Sequence, residues 1–169
     1  MKSVIQSFAP IADAQATRLI LGSMPGVASL AAGQYYAHRQ NAFWRIMGEL
    51  LGFAPEAAYP ERVQTLQRAG IAVWDVLQYC ERPGSLDSAI RRDSEVANDF
   101  AAFFAQHLRI TQVFFNGSAA EACFARRVQS RNAWPQLTFA RLPSTSPAHA
   151  ALRYAQKFEF WCQALHARE

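Results

Sequence analysis

The sequence predicts an α/β fold with a four-stranded, mostly parallel sheet whose two faces are covered by helices. Short apolar runs, each ended by Gly or a polar residue, alternate with longer segments whose apolar residues recur every three or four positions. Strands that alternate with helices in this way form parallel sheets. The 169 residues, of which 51% are hydrophobic and 18% charged, are enough for one globular core. We therefore expect a single domain over residues 1–169.

The first half of the chain predicts two strands and two helices. Gly22 ends the first apolar run, and Gly52 closes the helical pattern that begins at Asn41. Pro60 stands in the first turn of the next helix, where its missing N–H costs nothing. The predicted elements are a strand at 17–21, a helix at 41–52, a helix at about 59–68 and a strand at 71–76.

The second half predicts two more strands and three more helices. Ser94 is a typical N-cap residue for the first of these helices. The apolar face that follows it is formed by Val96, Phe100, Phe103, Phe104 and Leu108. The predicted elements are a helix at 94–108, a strand at 111–115, a helix at 117 to about 129, a strand at 137–142 and a helix at about 149–167.

Composition excludes several classes of protein. No apolar run approaches the roughly 20 residues that cross a bilayer, and residues 1–10 lack a secretory signal, so we expect a cytoplasmic protein. Cys80, Cys123 and Cys162 stand about 40 residues apart, which fits neither a disulfide set nor a metal site such as CxxC. A four-cysteine iron–sulfur cluster would lack a ligand. We expect buried free thiols, no metal and no cofactor.

The basic residues favour a polyanionic partner only slightly. The net charge is +4 and the pI about 9.3. All 17 basic residues are Arg except Lys2 and Lys157. The planar fork of Arg suits phosphate, but high Arg usage also follows from GC-rich genomes. The charge by itself is therefore compatible with nucleic acid without indicating it.

Polar and Gly/Pro-rich segments follow all four predicted strands. These segments are 22–26, Asp75 with its following loop, 116–118 and 142–147. Each taken alone is ordinary turn chemistry. Because ligands of open α/β sheets bind beyond the carboxyl ends of the strands, the four segments together predict a shared site. The first segment continues through a polar, aromatic loop to Asn41, a combination that suits a flat, polar ring.

Three blocks of the sequence resemble the uracil-DNA glycosylase superfamily, and most closely its hypoxanthine-DNA glycosylase branch, family 6. They are residues 22–44, with Gly-Ser-Met-Pro-Gly and Asn-Ala-Phe-Trp, residues 70–88 and residues 142–147. The resemblance extends from about Leu19 to Trp161. It implies a three-layer α/β/α fold and a monofunctional, metal-free hydrolase of the N-glycosidic bond. The implied substrate is a flipped deaminated base, most closely hypoxanthine, in double- or single-stranded DNA bound by a monomer, and the product is an abasic site.

Two departures from related branches affect the implied mechanism. Met24 stands where the mismatch-specific and thymine branches have an Asn that orients the attacking water, and a thioether is only a weak acceptor. In the hypoxanthine branch that role belongs to the Asn at the start of the following helix, which matches Asn41. Leu142 stands where the uracil enzymes have a His that stabilises the leaving base.

The candidate site residues combine this resemblance with general chemistry. Backbone N–H groups of the first turn would meet the base, and an aromatic ring would stack on it. The candidate catalytic residue is Asn41. The candidate base-binding residues are Gly22, Ser23, Met24, Pro25, Gly26, Tyr36, Phe43, Asp75 and Asn116. The candidate DNA-binding residues are Arg39, Pro143, Ser144, Thr145, Ser146 and His149.

Structural roles remain open for several of these residues. Asn41 is also a good N-cap, Phe43 also fits a core stripe, and His149 also fits a solvated helix start. Asp75 and Asn116 also suit turns or caps. Other functions also remain open: excision of uracil or a mismatched base, or a DNA- or nucleotide-binding module without catalysis. A Ser hydrolase is disfavoured because the first turn lacks the Gly-x-Ser-x-Gly elbow.

Overall fold

The computed structural model of the protein describes residues 3–166. Within these residues the strands are β1 (Val4–Gln6), β2 (Arg18–Gly22), β3 (Ile71–Asp75), β4 (Leu77–Glu81), β5 (Val96–Ala97), β6 (Gln112–Asn116) and β7 (Thr138–Leu142). The α-helices are α1 (Val27–Ala32), α2 (Phe43–Leu51), α3 (Tyr59–Arg68), α4 (Phe100–Gln106), α5 (Ser118–Phe124) and α6 (Tyr154–His166). Short 3-10 turns lie at Asp87–Ala89 and Arg92–Ser94, and a π-helical turn at Ala125–Gln129 continues α5. No described helix is long and apolar enough to cross a membrane.

The central sheet has the order β3-β2-β6-β7, and every neighbouring pair in it is parallel. The chain leaves β2 towards β3 on one side and later reaches β6 on the other. Crossovers between parallel strands are right-handed, so α2 and α3 cover one face of the sheet while α4 and α5 cover the other. The predicted three-layer α/β/α fold is confirmed. The reversal between β2 and β6 is the kind of switch point where ligands bind.

Aromatic side chains fill the two helix–sheet layers. On one side the buried rings of Phe43 in α2 and Trp161 in α6 pack edge to face, with centroids 6.2 Å apart. On the other side Phe100 in α4 meets Phe124 in α5 at 5.2 Å. Both contacts have the T-shaped geometry that aromatic pairs prefer. The layers fix α2, whose start faces the carboxyl edge of the sheet.

A second, antiparallel sheet with the order β1-β4-β5 was not predicted. β4 follows β3 after the single residue Val76, so the two strands look like one apolar run in the sequence. The backbone N–H groups of Val76 and Leu77 donate to the carbonyls of Gly22 and Ser23, at 2.8 and 3.1 Å. The start of β4 is thereby fastened to the turn that follows β2.

Three predicted helices begin later in the chain than expected. Ser94 lies in a 3-10 turn ahead of β5, and Asp99 caps α4 through a hydrogen bond from the Ala102 N–H. Leu108, predicted on the buried face of that helix, is 83% exposed. The last helix begins at Tyr154 instead of 149, since residues 147–152 form turns, and its predicted end at Ala167 lies outside the described residues. Asn41 likewise precedes α2, which begins at Phe43.

The polar loop between the first turn and Asn41 contains α1, which the sequence analysis did not predict. Gly33 ends this helix with a φ of 65°, a left-handed conformation that glycine adopts freely. The three cysteines are free, as predicted. Cys80 and Cys123 are buried, whereas Cys162 is half-buried. No described group of three or more His, Cys, Asp or Glu side chains has the arrangement of a metal site.

Candidate active site

Four segments meet where the parallel strands of the central sheet end. They enclose a cavity of about 320 Å³. The cavity is lined by residues 22–26 after β2, Asp75 at the end of β3, Asn116 at the end of β6 and residues 144–147 after β7. Tyr36 and Asn41 complete its wall. The structure thus brings most of the sequence-predicted site residues together at one edge of the sheet.

A clamp formed by residues 82–87 holds the turn at residues 22–26 from behind. The Arg82 guanidinium donates to the Pro25 carbonyl at 2.5 Å. The Ser23 hydroxyl donates to the Asp87 carboxylate at 2.5 Å, and the Ser85 hydroxyl accepts from the Val27 N–H at 2.9 Å. Sequence analysis missed this role of Arg82, since no local pattern links residues 57 positions apart.

Asp75 forms the floor of the cavity and is only 4% exposed. One carboxylate oxygen, Oδ2, is buried without a hydrogen-bond partner in the described chain. Burial, together with the negative charge of Asp87, raises the pKa of Asp75 to about 7, while the charge of Arg82 opposes the rise. A Cβ on Gly22 would lie 2.5 Å from Asp75 Oδ1. The carboxylate therefore occupies the space that only glycine leaves free at position 22.

Tyr36 forms one wall of the cavity. Its ring stacks on Phe43, with centroids 4.1 Å apart. Phe43 is fully buried and supports Tyr36 from behind without lining the cavity. The Tyr36 hydroxyl is buried near the Asn116 amide and has no hydrogen-bond partner in the described chain. Burial raises the pKa of Tyr36, so the hydroxyl keeps its proton and can donate at neutral pH.

Tyr36 also has an unusual backbone. Its φ of 54° is the only left-handed value at a described residue other than glycine. For a bulky side chain this conformation costs about 1–2 kcal/mol. The Trp44 indole N–H donates to the Tyr35 carbonyl at 2.7 Å and holds the adjoining peptide. The strained residue thus lies in the cavity wall, where its ring stacks on Phe43.

Asn41 lies between the cavity and a neighbouring groove and lines both. Its side-chain oxygen accepts from the Phe43 N–H at 3.0 Å, and its backbone N–H donates to the His38 carbonyl at 2.9 Å. The first bond orients the side-chain amide, and the second holds the backbone just ahead of α2. Because an amide oxygen has two lone pairs, one acceptor position stays free for a water molecule.

Asn116 ties the loop at residues 143–146 to the sheet. Its amide donates to the Thr145 hydroxyl and accepts from the Thr145 N–H, both at 2.9 Å. Thr145 is 1% exposed, and its carbonyl accepts from the Ala42 N–H at 3.0 Å. The amide oxygen of Asn116 is therefore engaged by the loop. Thr145 in turn connects the loop to Ala42, the residue after Asn41.

Two side chains of α6 hold the same loop from its other side. The Trp161 indole N–H donates to the Pro143 carbonyl at 2.9 Å, and the Lys157 ammonium donates to the Ser146 carbonyl at 3.2 Å. Lys157 is buried, and burial lowers its pKa. Lys157 is distant in sequence from the segments that line the cavity. The fold brings it to the loop.

A groove of about 670 Å³ continues outward from the cavity past Asn41. Its basic lining residues are His38, Arg39, Arg45, Arg62 and Lys157. The Arg45 guanidinium stacks on the Tyr154 ring at 3.6 Å from the centroid. His149 lines a second groove, which shares Asn116, Ser144 and Ser146 with the cavity. The structure thus places Arg39 and His149 in two different grooves that both adjoin the cavity.

A sequence profile of the uracil DNA glycosylase superfamily matches residues 9–166. This match covers the whole central sheet and every segment that lines the cavity. The chain belongs to the uracil-DNA glycosylase superfamily. The resemblance of the three sequence blocks is thereby confirmed.

Two curated relatives and one solved structure come from species of Methanosarcina. The chain is 37% identical over 113 residues to "Hypoxanthine DNA glycosylase" of Methanosarcina barkeri, covering 66% of this chain and 70% of the relative. It is 35% identical over 116 residues to the protein of the same name from Methanosarcina acetivorans, covering 68% and 72%. A solution NMR structure of a candidate uracil DNA glycosylase from Methanosarcina acetivorans superposes with a TM-score of 0.77. That protein is 27% identical, and the match covers 98% of this chain and all of the other.

The two departures from other superfamily branches are both buried apolar side chains. Met24 lines the cavity and is 7% exposed. Leu142 ends β7, is 6% exposed and does not line the cavity. Neither residue offers a strong hydrogen-bonding group to a base or a water. Any such group must come from other parts of the cavity.

Proposed function

We propose that the protein is a DNA glycosylase that hydrolyses the N-glycosidic bond of hypoxanthine in DNA and leaves an abasic site. Two curated relatives that carry the name of this activity support the proposal. The cavity at the sheet edge supports it as well, because an extruded base needs a pocket that can hold it.

The observation that carries the choice of base is the carboxyl of Asp75, which lines the cavity and keeps one oxygen, Oδ2, without a hydrogen-bond partner in the described chain. Hypoxanthine has an N1–H donor, which an ionised carboxylate accepts. Adenine has a lone pair at N1, which the same carboxylate repels. A buried site built for one hydrogen bond rejects an analogue that lacks it, because the site's polar group is then left unpaired. The Tyr36 hydroxyl supplies a donor close to Asp75, suited to the O6 carbonyl.

Asn41 is assigned the attacking water. In the proposed reaction the bond between C1′ and N9 breaks, and its electron pair leaves with the base. The water oxygen forms the new bond to C1′, its proton passes to solvent, and the base anion takes up a proton. The transition state has oxocarbenium character, so positioning and electrostatics contribute more than a strong nucleophile. The fixed amide of Asn41, with one free acceptor position, suits the positioning of a water.

The DNA strand is assigned to the groove and the loop around the cavity. Arg39 and the other cations of the groove suit phosphate, and the hydroxyls and N–H groups of residues 144–146 suit sugar–phosphate contacts. We further propose that the protein acts as a monomer on double- or single-stranded DNA, without a metal or cofactor.

The proposal is tested with four duplexes that each carry one altered base. The bases are hypoxanthine, uracil, xanthine and thymine opposite guanine, and alkali then cleaves the strand at any abasic site. We expect strand breaks chiefly at hypoxanthine. Breaks only at uracil would overturn the choice of base. Binding to DNA without any strand breaks would overturn the proposed glycosylase activity and favour a DNA-binding module of the same fold.

A further inference from the structure

Arg82 is a buried arginine directly behind the turn at residues 22–26. It is 6% exposed, and its guanidinium donates to the carbonyls of Pro25 and Gly84, at 2.5 and 2.8 Å. Among residues 3–166 no carboxylate forms an ion pair with it, and its Nη1 has no hydrogen-bond partner. A buried, unpaired charge is expensive to keep. Its position at the site calls for an explanation beyond packing.

The bond from Arg82 to Pro25 fixes the direction of the next amide. Pro25 C=O and Gly26 N–H belong to one planar trans peptide, so the N–H points opposite to the carbonyl and away from the guanidinium. Gly26 lines the cavity. In the described part of the chain, the Gly26 N–H has no hydrogen-bond partner. A guanidinium on the carbonyl also polarises the peptide and strengthens its N–H as a donor.

The charge of Arg82 is felt inside the cavity. It opposes the rise in the pKa of Asp75 that burial and Asp87 produce. Without the charge of Arg82, the carboxylates of Asp75 and Asp87 would dominate the electrostatic potential around the base. Both would disfavour the negative charge that develops on the departing base. Leu142 supplies no polar group for that charge. Among the described residues, Arg82 is the cation that lowers the pKa of Asp75.

We propose that Arg82 is a positioning residue that aims the Gly26 N–H at the departing base and, through its own buried charge, stabilises the negative charge that develops there. The inference rests on the proposed function, because it concerns the same bond-breaking step. The electron pair of the C1′–N9 bond moves onto the base in that step. Preorganised donors matter most where charge develops, since they need no reorganisation during the reaction.

The first test compares Arg82→Met, Arg82→Lys and the control Arg91→Met under single-turnover conditions. Arg91 is partly exposed and pairs with Glu81 and Asp93. We expect Arg82→Met to lower the rate of hypoxanthine release about 10- to 100-fold, less than the loss of a direct donor. DNA affinity should not change. Arg82→Lys should lie between Arg82→Met and wild type, because it keeps the charge and loses the fork, and Arg91→Met should match wild type.

A change of leaving group separates electrostatics from structure. 8-Azahypoxanthine is a more acidic base than hypoxanthine, so it departs with less need of stabilisation. The loss in Arg82→Met should be at least about threefold smaller on this base. An equal loss on both bases, or a loss confined to DNA affinity, would overturn the proposal and assign Arg82 to loop structure alone.

Gly26 allows a test that leaves Arg82 in place. Its φ of −72° is a value that proline adopts, so Gly26→Pro removes the N–H at a compatible φ. Gly26→Ala keeps the N–H and adds a methyl group at ordinary contact distance, 3.5 Å, from the Ser85 hydroxyl. We expect Gly26→Pro to release hypoxanthine about tenfold more slowly than Gly26→Ala.

Variants that combine the changes at positions 26 and 82 distinguish loss of an oriented Gly26 N–H from crowding by the proline ring. If Arg82 acts through the Gly26 N–H, the change from Ala to Pro at position 26 costs less in the Arg82→Met background. An unchanged cost in both backgrounds would overturn the proposal, because simple crowding by the proline ring does not depend on Arg82. Wild-type protein that releases no base from any duplex would instead defeat the proposed function. Active wild type with a fully active Arg82→Met would defeat this inference alone.

Discussion

The amide of Asn41 is held in one orientation before any substrate binds. Its oxygen accepts from the Phe43 N–H, a contact of the kind that caps helices, although α2 begins two residues later. Capping and water binding are therefore compatible within one side chain, because the oxygen has two lone pairs. The capping contact pre-orients the group assigned to the water, which lowers the entropic cost of the reaction.

Replacement of Asn41 by Ala is expected to lower the single-turnover rate of hypoxanthine release at least about 100-fold. DNA affinity, measured by fluorescence anisotropy, should stay near that of wild type, since the amide is assigned to the water and not to phosphate. Asn41→Ser is the matched control, because serine caps helices about as well as asparagine does. Recovery of activity in Asn41→Ser would assign Asn41 to capping alone.

Asp75 predicts a pH dependence for the reaction. With its pKa raised to about 7, the carboxyl is protonated below that pH and ionised above it. Only the ionised form accepts the N1–H of hypoxanthine, so the rate of release should rise between pH 6 and 8 with a midpoint near 7. Asp75→Asn should abolish this step and lower the rate at pH 8 about tenfold. A step that persists in Asp75→Asn would assign the titration to another group.

At the scale of elements, the loop at residues 143–146 is held by contacts from three separate parts of the chain. Asn116 binds it from β6, Ala42 from the start of α2, and Trp161 from α6. A loop assigned to DNA is thereby made as rigid as the sheet that carries it. Rigid supports are what a site needs in order to hold its groups in reacting geometry.

Asn116→Ala is expected to destabilise the protein and to slow catalysis. It leaves the Thr145 N–H buried without a partner, at a cost of about 1–3 kcal/mol. The melting temperature should fall by roughly 2–4 °C for each kcal/mol of lost stability. The rate of hypoxanthine release should fall about tenfold, because Thr145 also holds the residue after Asn41. Thr145→Val removes only the hydroxyl and should cost less on both measures. Equal losses in the two variants would contradict a tether through the Thr145 N–H.

At the scale of the whole molecule, costly buried groups are concentrated at one edge of the sheet. Asp75, Arg82 and Lys157 are all nearly inaccessible. In the described chain none of the three forms an ion pair with an oppositely charged group within 4.0 Å. By contrast Glu95, away from the cavity, is paired with Arg126 and Arg127. The buried charged side chains without ion-pair partners thus lie at the site. Their burial lowers the stability of the protein at the place where function requires them.

Asp75→Asn is expected to stabilise the protein at high pH. The pKa of Asp75 is higher in the folded chain than in the unfolded chain, so its favourable contribution is complete below about pH 4 and is lost as the pH rises through about 7. Above pH 7 the buried charge costs about 4 kcal/mol. Thermal unfolding should therefore show a larger gain in Asp75→Asn at pH 8 than at pH 5. Equal gains at the two pH values would contradict this account.

Local chemistry carried much of the fold and of the site. The four central strands were predictable because each is a short apolar run ended by Gly or a polar residue. Met24 and Asn41 could be singled out because they stand in recognisable blocks. The sheet of β1, β4 and β5 could not be predicted, since Val4 pairs with Glu81 and neither residue carries a local signal of the other. Ser94 misled because capping residues are equally common in turns.

The sequence by itself determined that four polar turns share one edge of a parallel sheet, because strand direction follows from the alternation of strands and helices. The tertiary structure alone decided what surrounds those turns. It placed Arg82 behind Pro25, packed Phe43 behind Tyr36 and left His149 outside the cavity. Such contacts depend on side-chain packing between segments far apart in the chain, and the net charge in the cavity depends on them. That is why the position of Asn41 was predictable and the electrostatics around it were not.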